Sequence, residues 1–256
     1  LYQSAQKGMN MADGTGRRAL VTGGSRGIGA AIALALARDG ADVAITYERS
    51  ADRAAEVVRG IEALGRRGLA IAADSADPVA IRASVEQAVG GLGGLDILVN
   101  NAGIARGGPL EAMSLEDIDA VLDVNIRSVV LASQAAIPHL GEGRRIVNMG
   151  SCLAERVTQP GLSVYSMSKS ALVAFTKGLA RDLGPRGITV NIVHPGPTNT
   201  DMNPADGPQA EAQRQLIALG RYGSAEDIAG MVAFLAGPGG RQITGAGFTV
   251  DGGLNA

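Results

Sequence analysis

The sequence predicts an α/β fold, an open doubly wound sheet of parallel strands flanked by helices on both faces. Three observations predict it. Short β-rich runs alternate with longer helical patterns after Gly16, as parallel strands joined by crossover helices require. Most of the β-rich runs are continuously apolar, which suits a sheet covered on both sides. A glycine-rich turn joins the first strand directly to the first helix.

The strand candidates are Ala19–Thr22, Val43–Thr46, Leu69–Ala72, Leu95–Asn100, Ile146–Met149, Thr189–His194 and Phe248–Asp251. Helical patterns lie at Gly27–Asp39, where Ile28, Ile32 and Leu36 share a face, and at Ala51–Leu64, Val79–Val89, Asp117–His139, Val164–Leu183 and Ala225–Leu235. The first helix opens after Ser25. The last opens after Ser224 with Asp227 three residues on, an acidic first turn akin to a capping box. Between Pro195 and Leu219 the rhythm breaks: Pro195, Gly196, Pro197, Pro204, Gly207 and Pro208 precede a polar helical stretch at Gln209–Leu219. A long irregular segment at the carboxyl end of a strand suggests a substrate lid, the alternative being a surface excursion with no gating role.

No Pro/Ser-rich or charge-rich linker interrupts the 256 residues, so 17–256 read as one domain, and a composition 46% hydrophobic and 19% charged provides for a large core. Residues 1–16 read as a vector-derived remnant followed by a flexible native start, with Met9 and Met11 both plausible initiators. A net charge of −2 with interspersed signs gives no footprint for a nucleic-acid polymer or an anionic membrane. Cys152 is the only cysteine, which excludes an internal disulfide and favours a reducing, cytoplasmic setting. No apolar run reads as long enough to span a bilayer, and no His/Cys/Asp/Glu cluster has metal-ligand spacing.

The first strand runs into Thr22-Gly23-Gly24-Ser25-Arg26-Gly27-Ile28-Gly29. Glycines there permit a tight turn and close approach of backbone to a pyrophosphate, whose charge the N–H groups and dipole of the helix start favour. A turn that merely packs tightly is the plainer alternative. Further along, Tyr165 and Lys169 stand four residues apart, which places a phenol and an ammonium on one helical face. Alone, such a pair is usually a solvated surface.

Taken together, the TGxxxGxG turn, Asn100-Asn101-Ala102-Gly103, Tyr165-xxx-Lys169 and Pro195-Gly196 resemble the short-chain dehydrogenase/reductase family over nearly all of Arg18 to Gly253. The resemblance implies a Rossmann-type sheet of about seven parallel strands, a homotetramer, and an NAD(P)-dependent oxidoreductase acting on a carbonyl or alcohol. It implies cofactor contacts at Gly23, Ser25, Arg26, Gly27, Ile28, Gly29, Tyr47, Asp74, Ser75, Asn101, Ala102, Gly103, Pro195, Gly196, Thr198 and Thr200, with Tyr165 and Lys169 sharing in them. Asp74 matches the acid that contacts adenine and Asn101 the asparagine after the fourth strand, although either side chain also suits a local turn.

NAD enzymes place an acid at the end of the second strand for the ribose hydroxyls. Tyr47 stands there instead, while Arg26 and Arg49 offer planar donor forks to a 2′-phosphate, so the cofactor reads as NADP(H). Glu48 next door is the residue that a register shift would turn into an NAD-type acid.

For the reacting end, the resemblance assigns Ser151 to the substrate carbonyl and Asn125 to a water relay toward the lysine. A phenol has a reference pKa of about 10 and needs its anion stabilised, a task the Lys169 ammonium suits. The tetrad Asn125, Ser151, Tyr165 and Lys169 then implies that a nicotinamide hydride reaches carbon while Tyr165 gives the proton. Cys152, His139 and His194 form no recognisable nucleophile arrangement, and His194 reads as a satisfied strand-end histidine.

The ending Val250-Asp251-Gly252-Gly253 and Gly220–Ile228 look most like the 3-oxoacyl-acyl-carrier-protein reductase branch. An acyl thioester or related ketone is then the expected substrate, with an acyl carrier protein as a partner that Arg181 and Arg186 would meet. However, Pro138–Gly143 lacks the basic residues such reductases tend to carry. A second reading is a cyclic-di-GMP-binding module, since Pro195–Asp201 with Pro204 and Gly207 also resembles a bacterial family member linked to biofilm dispersal.

Overall fold

The computed structural model describes residues 16–256, so the terminal segment read as 1–16 lies, Gly16 apart, outside the described residues. Seven parallel strands form one sheet: β1 (Arg18–Val21), β2 (Asp42–Tyr47), β3 (Gly68–Ala72), β4 (Ile97–Asn100), β5 (Arg145–Met149), β6 (Thr189–Pro195) and β7 (Gly247–Val250). Their order is β3-β2-β1-β4-β5-β6-β7. The winding reverses between β1 and β4, and in such sheets ligands bind beyond the carboxyl ends of the strands at that switch point.

The apolar runs are explained by burial on both faces. Ala19, Val21, Val43, Ile45, Ile97 and Val99 point to one core, completed by α1 (Gly27–Arg38), α2 (Ala51–Ala63) and α8 (Ala225–Ala236). The alternate residues Leu20, Ala44, Leu98 and Ile146 point to the other, under α3 (Pro78–Leu92), α5 (Ser128–Ala136) and α6 (Ser163–Leu183). Successive strand side chains face opposite ways, so a central strand dry on both sides is apolar except where a buried partner satisfies a polar side chain, as Ser133 and Thr176 do for Asn100 and Asn148. Ser224 and Asp227 make a full reciprocal capping box at the start of α8.

Four expectations are corrected. The helix expected at Asp117–His139 is divided into α4 (Leu115–Leu122), a π-helical turn at Asp123–Arg127, α5 and a 3₁₀ turn at Ile137–His139. The wide turn carries one extra residue per turn, and Asn125 within it is fully buried. Second, this stretch is long and apolar enough to span a membrane by length and mean hydropathy, contrary to the sequence reading. Its apolar side chains are used within the fold, since Val129, Ala132 and Ala136 pack into the cores beneath α5. Third, α7 covers only Ala210–Leu216, because the chain returns to extended backbone at Ile217, and Pro195 belongs to β6. Fourth, α1 is preceded by Arg26 in extended conformation and has no side-chain cap, so Ser25 does not perform that task.

At the amino ends of the strands, opposite the switch-point cleft, one carboxylate ties three strands together. The Arg18 backbone N–H and Nε both donate to Asp96 Oδ2, at 2.8 and 2.7 Å, and Arg144 Nε lies 2.6 Å from Asp96 Oδ1. Burial pushes the Asp96 carboxyl up, but hydrogen bonds from Arg18 and the charge of Arg144 outweigh it and hold the group below the usual carboxylate range. Because the folded-state value is depressed, this contribution is complete above the unfolded value of about 3.9 and is lost as pH falls through the lower folded value. Asp96→Asn is expected to cost about 1–3 kcal/mol in urea unfolding at pH 7, the two arginines being partly solvated, with the gap to wild type closing only below about pH 4.

Candidate active site

Close packing at the switch point forms the base of the site. Thr22 Oγ1 accepts from the backbone N–H groups of Asn101 and Ala102, at 2.9 and 3.0 Å, and Asn101 Nδ2 donates back to the carbonyls of Thr22 and Gly23. Gly23 N–H donates to Thr46 Oγ1 at 2.9 Å. The turns after β1 and β4 are thereby locked to each other and to β2. A Cβ added at Gly29 would lie 2.3 Å from the Gly23 carbonyl oxygen and 2.5 Å from Asn101 Nδ2, so only glycine lets α1 start this close to the turn. Gly27 is held at φ +53°, in the left-handed region. The unpaired N–H groups of the first turn of α1 therefore face the cleft beyond the strands.

That cleft has a volume of about 720 Å³, the size of a small-molecule or cofactor site. Gly23, Ser25, Arg26, Gly27, Ile28 and Gly29 form its floor, and Tyr47, Asp74 and Ser75 one wall. Asn101, Ala102 and Gly103 continue the floor, while Pro195, Gly196, Thr198 and Thr200 close the far side. Some of these side chains have local partners. Asp74 Oδ1 accepts from Ala76 N–H at 2.8 Å, the turn-forming bond weighed above, and Thr198 Oγ1 donates to the Gly196 carbonyl at 2.9 Å. Glu48 and Arg49 pair with each other at 2.7 Å. The arginine that does face Arg26 is Arg53, on α2, with the Asp201 carboxylate between them.

Ser151, Tyr165 and Lys169 all reach the same cleft. Ser151 follows β5 and caps the 3₁₀ turn Cys152–Ala154, its Oγ accepting from Leu153 N–H at 3.2 Å. His194 Nδ1 lies 3.0 Å from the Ser151 carbonyl, which accepts, so that ring nitrogen carries the proton. Burial lowers the His194 pKa, and a neutral ring in this tautomer anchors the Ser151 backbone.

Lys169 lies on the same helical side as the phenol, as the spacing implies, and is anchored on the end of β5. Its Nζ donates to the Met149 carbonyl at 3.1 Å and stands 6.0 Å from the centre of the Tyr165 ring. The lysine side chain is buried. Burial draws its pKa down to about 8. Burial raises that of Tyr165, opposed by the hydrogen-bonding hydroxyl of Ser151.

Asn125 does not line the cleft. Its Oδ1 accepts from Ile104 N–H at 2.9 Å, and its Nδ2 donates to the Ile104 carbonyl and to Ser168 Oγ, both at 3.0 Å. Ser168 Oγ in turn donates to the Tyr165 carbonyl at 2.6 Å. A Cβ built at Gly103 would lie 3.2 Å from Lys169 Nζ and 3.3 Å from Asn125 Oδ1, so the missing side chain leaves open the gap those two atoms share. Burial pushes the Cys152 thiol up to about 11, which leaves it inert.

Sequence reasoning had not assigned roles to Thr46, Ser168, Arg53 and Asp201, whose partners are remote in the chain. Thr22 stood inside the quoted motif, where its threonine could have signalled the lock.

Comparison with known proteins agrees with this geometry. Residues 23–255 match the family model described as enoyl-(acyl carrier protein) reductase. The cyclic-di-GMP-binding biofilm dispersal mediator protein of Escherichia coli K12 is 45% identical over 94% of this chain and 98% of its own length. The chain belongs to the short-chain dehydrogenase/reductase family. As a family member it is an oxidoreductase of CH–OH and C=O groups. The 3-oxoacyl-[acyl-carrier-protein] reductase of Staphylococcus aureus is 41% identical, covering 93% of this chain and 98% of its own. A short-chain dehydrogenase from Burkholderia cenocepacia J2315, solved in complex with NADP, is 67% identical with a TM-score of 0.93, over 94% of this chain and 99% of that one.

Gly29→Ala tests the lock on which this dehydrogenase/reductase site is built. With backbone on both sides of the new methyl, the variant is expected to lose about 1–3 kcal/mol of stability, read as a lower thermal midpoint, and to bind NADPH at least about 10-fold more weakly by titration.

Proposed function

We propose that this chain is an NADP(H)-dependent reductase of a ketone or 3-oxoacyl thioester, working reversibly on the corresponding alcohol. The convergence of Ser151, Tyr165 and Lys169 on the cleft beside the glycine turn carries the reading. The residues suit the cofactor: the glycine cradle admits a pyrophosphate at the start of α1, and Tyr47 ends β2 where an NAD enzyme would place an acid. The relative solved with NADP supports the same choice.

When bound, the cofactor supplies the hydride. The hydroxyl of Ser151 donates to the substrate's carbonyl oxygen and polarises it. Tyr165, kept protonated by burial, gives its proton to the oxygen as negative charge grows there. Lys169, in its protonated form, favours the phenolate left behind and would hold a ribose hydroxyl of the bound cofactor. Asn125 acts as a positioning residue, fixing Ile104 and the Tyr165 turn and holding the gap beside Lys169 Nζ. The 195–219 segment serves as the lid.

An acyl thioester on a carrier protein has less support than a small ketone. Of the two arginines expected to meet it, Arg186 is held in place by the carbonyls of Ile137 and Leu140, and Pro138–Gly143 adds no basic residue beside them. The similarity to the E. coli protein keeps a second reading alive, in which Arg26, Arg49 and Arg106 at the cleft take the phosphates of cyclic-di-GMP. A homotetramer is proposed from the family and from the exposed apolar side chains of Leu115, Val130 and Met167. A cytoplasmic setting is proposed from the single buried thiol.

NADPH oxidation against acetoacetyl thioesters, ketones and aldehydes tests the reading. Turnover with at least one is expected; no turnover, together with saturable cyclic-di-GMP binding, would replace it. Tyr165→Phe is expected to lower kcat by at least about 100-fold with NADPH affinity kept within about 3-fold. Reduction is further expected to decline above about pH 8 as Lys169 loses its proton, because a lysine with a lowered pKa is charged only below that value. Lys169→Arg should carry the decline to higher pH, and an unmoved profile would sink the assignment.

A further inference from the structure

Arg26 ends the glycine turn and Arg53 lies in the first turn of α2, yet both guanidinium groups converge on one oxygen of Asp201. Arg26 Nη1 is 3.3 Å from Asp201 Oδ2, and Arg53 Nη1 meets the same atom. Among the described residues neither arginine pairs with another carboxylate. Hydrogen bonds from Arg53 and then Arg26 hold the Asp201 carboxyl below its usual range. The pair is a pincer for a single anion, and Asp201 fills it.

The position of the pincer gives it meaning. Arg26, Tyr47 and Asp201 line the cleft, and Arg53 reaches Asp201 from α2. Asp201 belongs to the segment after β6, where Thr200 and Asn203 exchange backbone hydrogen bonds. That segment rests on the glycine turn, Thr200 Cγ2 lying 3.3 Å from a Cβ built at Gly27, and it is tied to α7 by Asn203 Nδ2 donating to Gln213 Oε1 at 3.0 Å. An anion that takes the arginines from Asp201 therefore leaves the 200–203 turn in place, held by these contacts, and displaces only the exposed carboxylate.

We propose that Asp201 is a built-in competitor for the 2′-phosphate of NADP(H): its carboxylate occupies Arg26 and Arg53, the pair that takes that phosphate, and the phosphorylated cofactor must displace it to bind. This rests on the NADP(H) reading above. A phosphate monoester carries about −1.5 to −2 charge and three acceptor oxygens, against one charge and two oxygens for a carboxylate. The exchange therefore favours the phosphate. NAD(H), with a ribose hydroxyl in that place, has nothing with which to displace Asp201. Arg53 becomes a specificity-determining residue, and Asp201 lowers affinity for the preferred cofactor.

The test is calorimetric titration of NADPH and NADH into the full chain and into Asp201→Asn, Asp201→Glu and Arg53→Gln. All sites are solvent-exposed, and thermal midpoints will verify that each variant folds. Removing the competing charge in Asp201→Asn is expected to tighten NADPH about 3- to 10-fold and to leave NADH within about 2-fold. Asp201→Glu, which keeps the charge, should stay nearer wild type than the Asn variant. Arg53→Gln should weaken NADPH about 10-fold and spare NADH. Unchanged or weaker NADPH binding in Asp201→Asn, or equal tightening of both cofactors, would overturn the proposal while leaving the cofactor assignment in place. A wild-type chain that binds NADH as tightly as NADPH would instead overturn the assignment itself, and the competitor with it.

Discussion

The lock between the turns after β1 and β4 is the constraint on which the site depends. Four hydrogen bonds join Thr22, Gly23, Asn101 and Ala102, and they fix where α1 begins relative to the neighbouring strand. Because the winding reverses there, no helix crosses over the carboxyl ends at that point, and the opening remains as a cleft. The amides of α1, the β2 wall and the residues following β5 and β6 are all measured from this corner. A buried polar interaction fully satisfied by backbone partners specifies one arrangement, since any shift leaves unpaired groups behind.

The side chains proposed to react are held in the same manner, by backbone contacts from elements distant in the chain. His194 on β6 fixes the carbonyl of Ser151 after β5, and Met149 on β5 receives Lys169 from α6. Asn125 in the π-helical turn reaches both Ile104 and Ser168, so the strand-4 loop and the catalytic helix share one support. Sites built on such second partners are stiff, which suits chemistry that depends on placement. Electrostatics is adjusted by burial more than by ion pairing: desolvation raises the Tyr165 pKa and lowers that of Lys169, drawing the two apart.

Ion pairs matter instead at the rims. Asp96 gathers Arg18 and Arg144 under the sheet, away from chemistry, where a nearly dry carboxylate needs both partners. Asp201 gathers Arg26 and Arg53 at an exposed edge, where the same geometry is weak enough to be exchanged. Solvent exposure separates a structural use of the arginine pair from a switchable one.

The sequence by itself determined the α/β architecture, because strands dry on both faces are mostly apolar, and the central strands announce themselves by that rule. The edge strand β7 was found as a short β-rich run despite half its residues facing outward. Local patterns also marked the glycine turn, the Ser224–Asp227 cap and the spacing of Tyr165 and Lys169, since each depends on residues within one or two turns of chain. Only the tertiary structure decided that Asp117–His139 breaks at a π-helical turn, that α7 stops at Leu216, and that Lys169 is anchored on the Met149 carbonyl. It alone placed Arg53, not Arg49, opposite Arg26, with Asp201 between them from 148 residues away. Contacts of that kind are settled by how layers stack, and no periodicity along the chain records them.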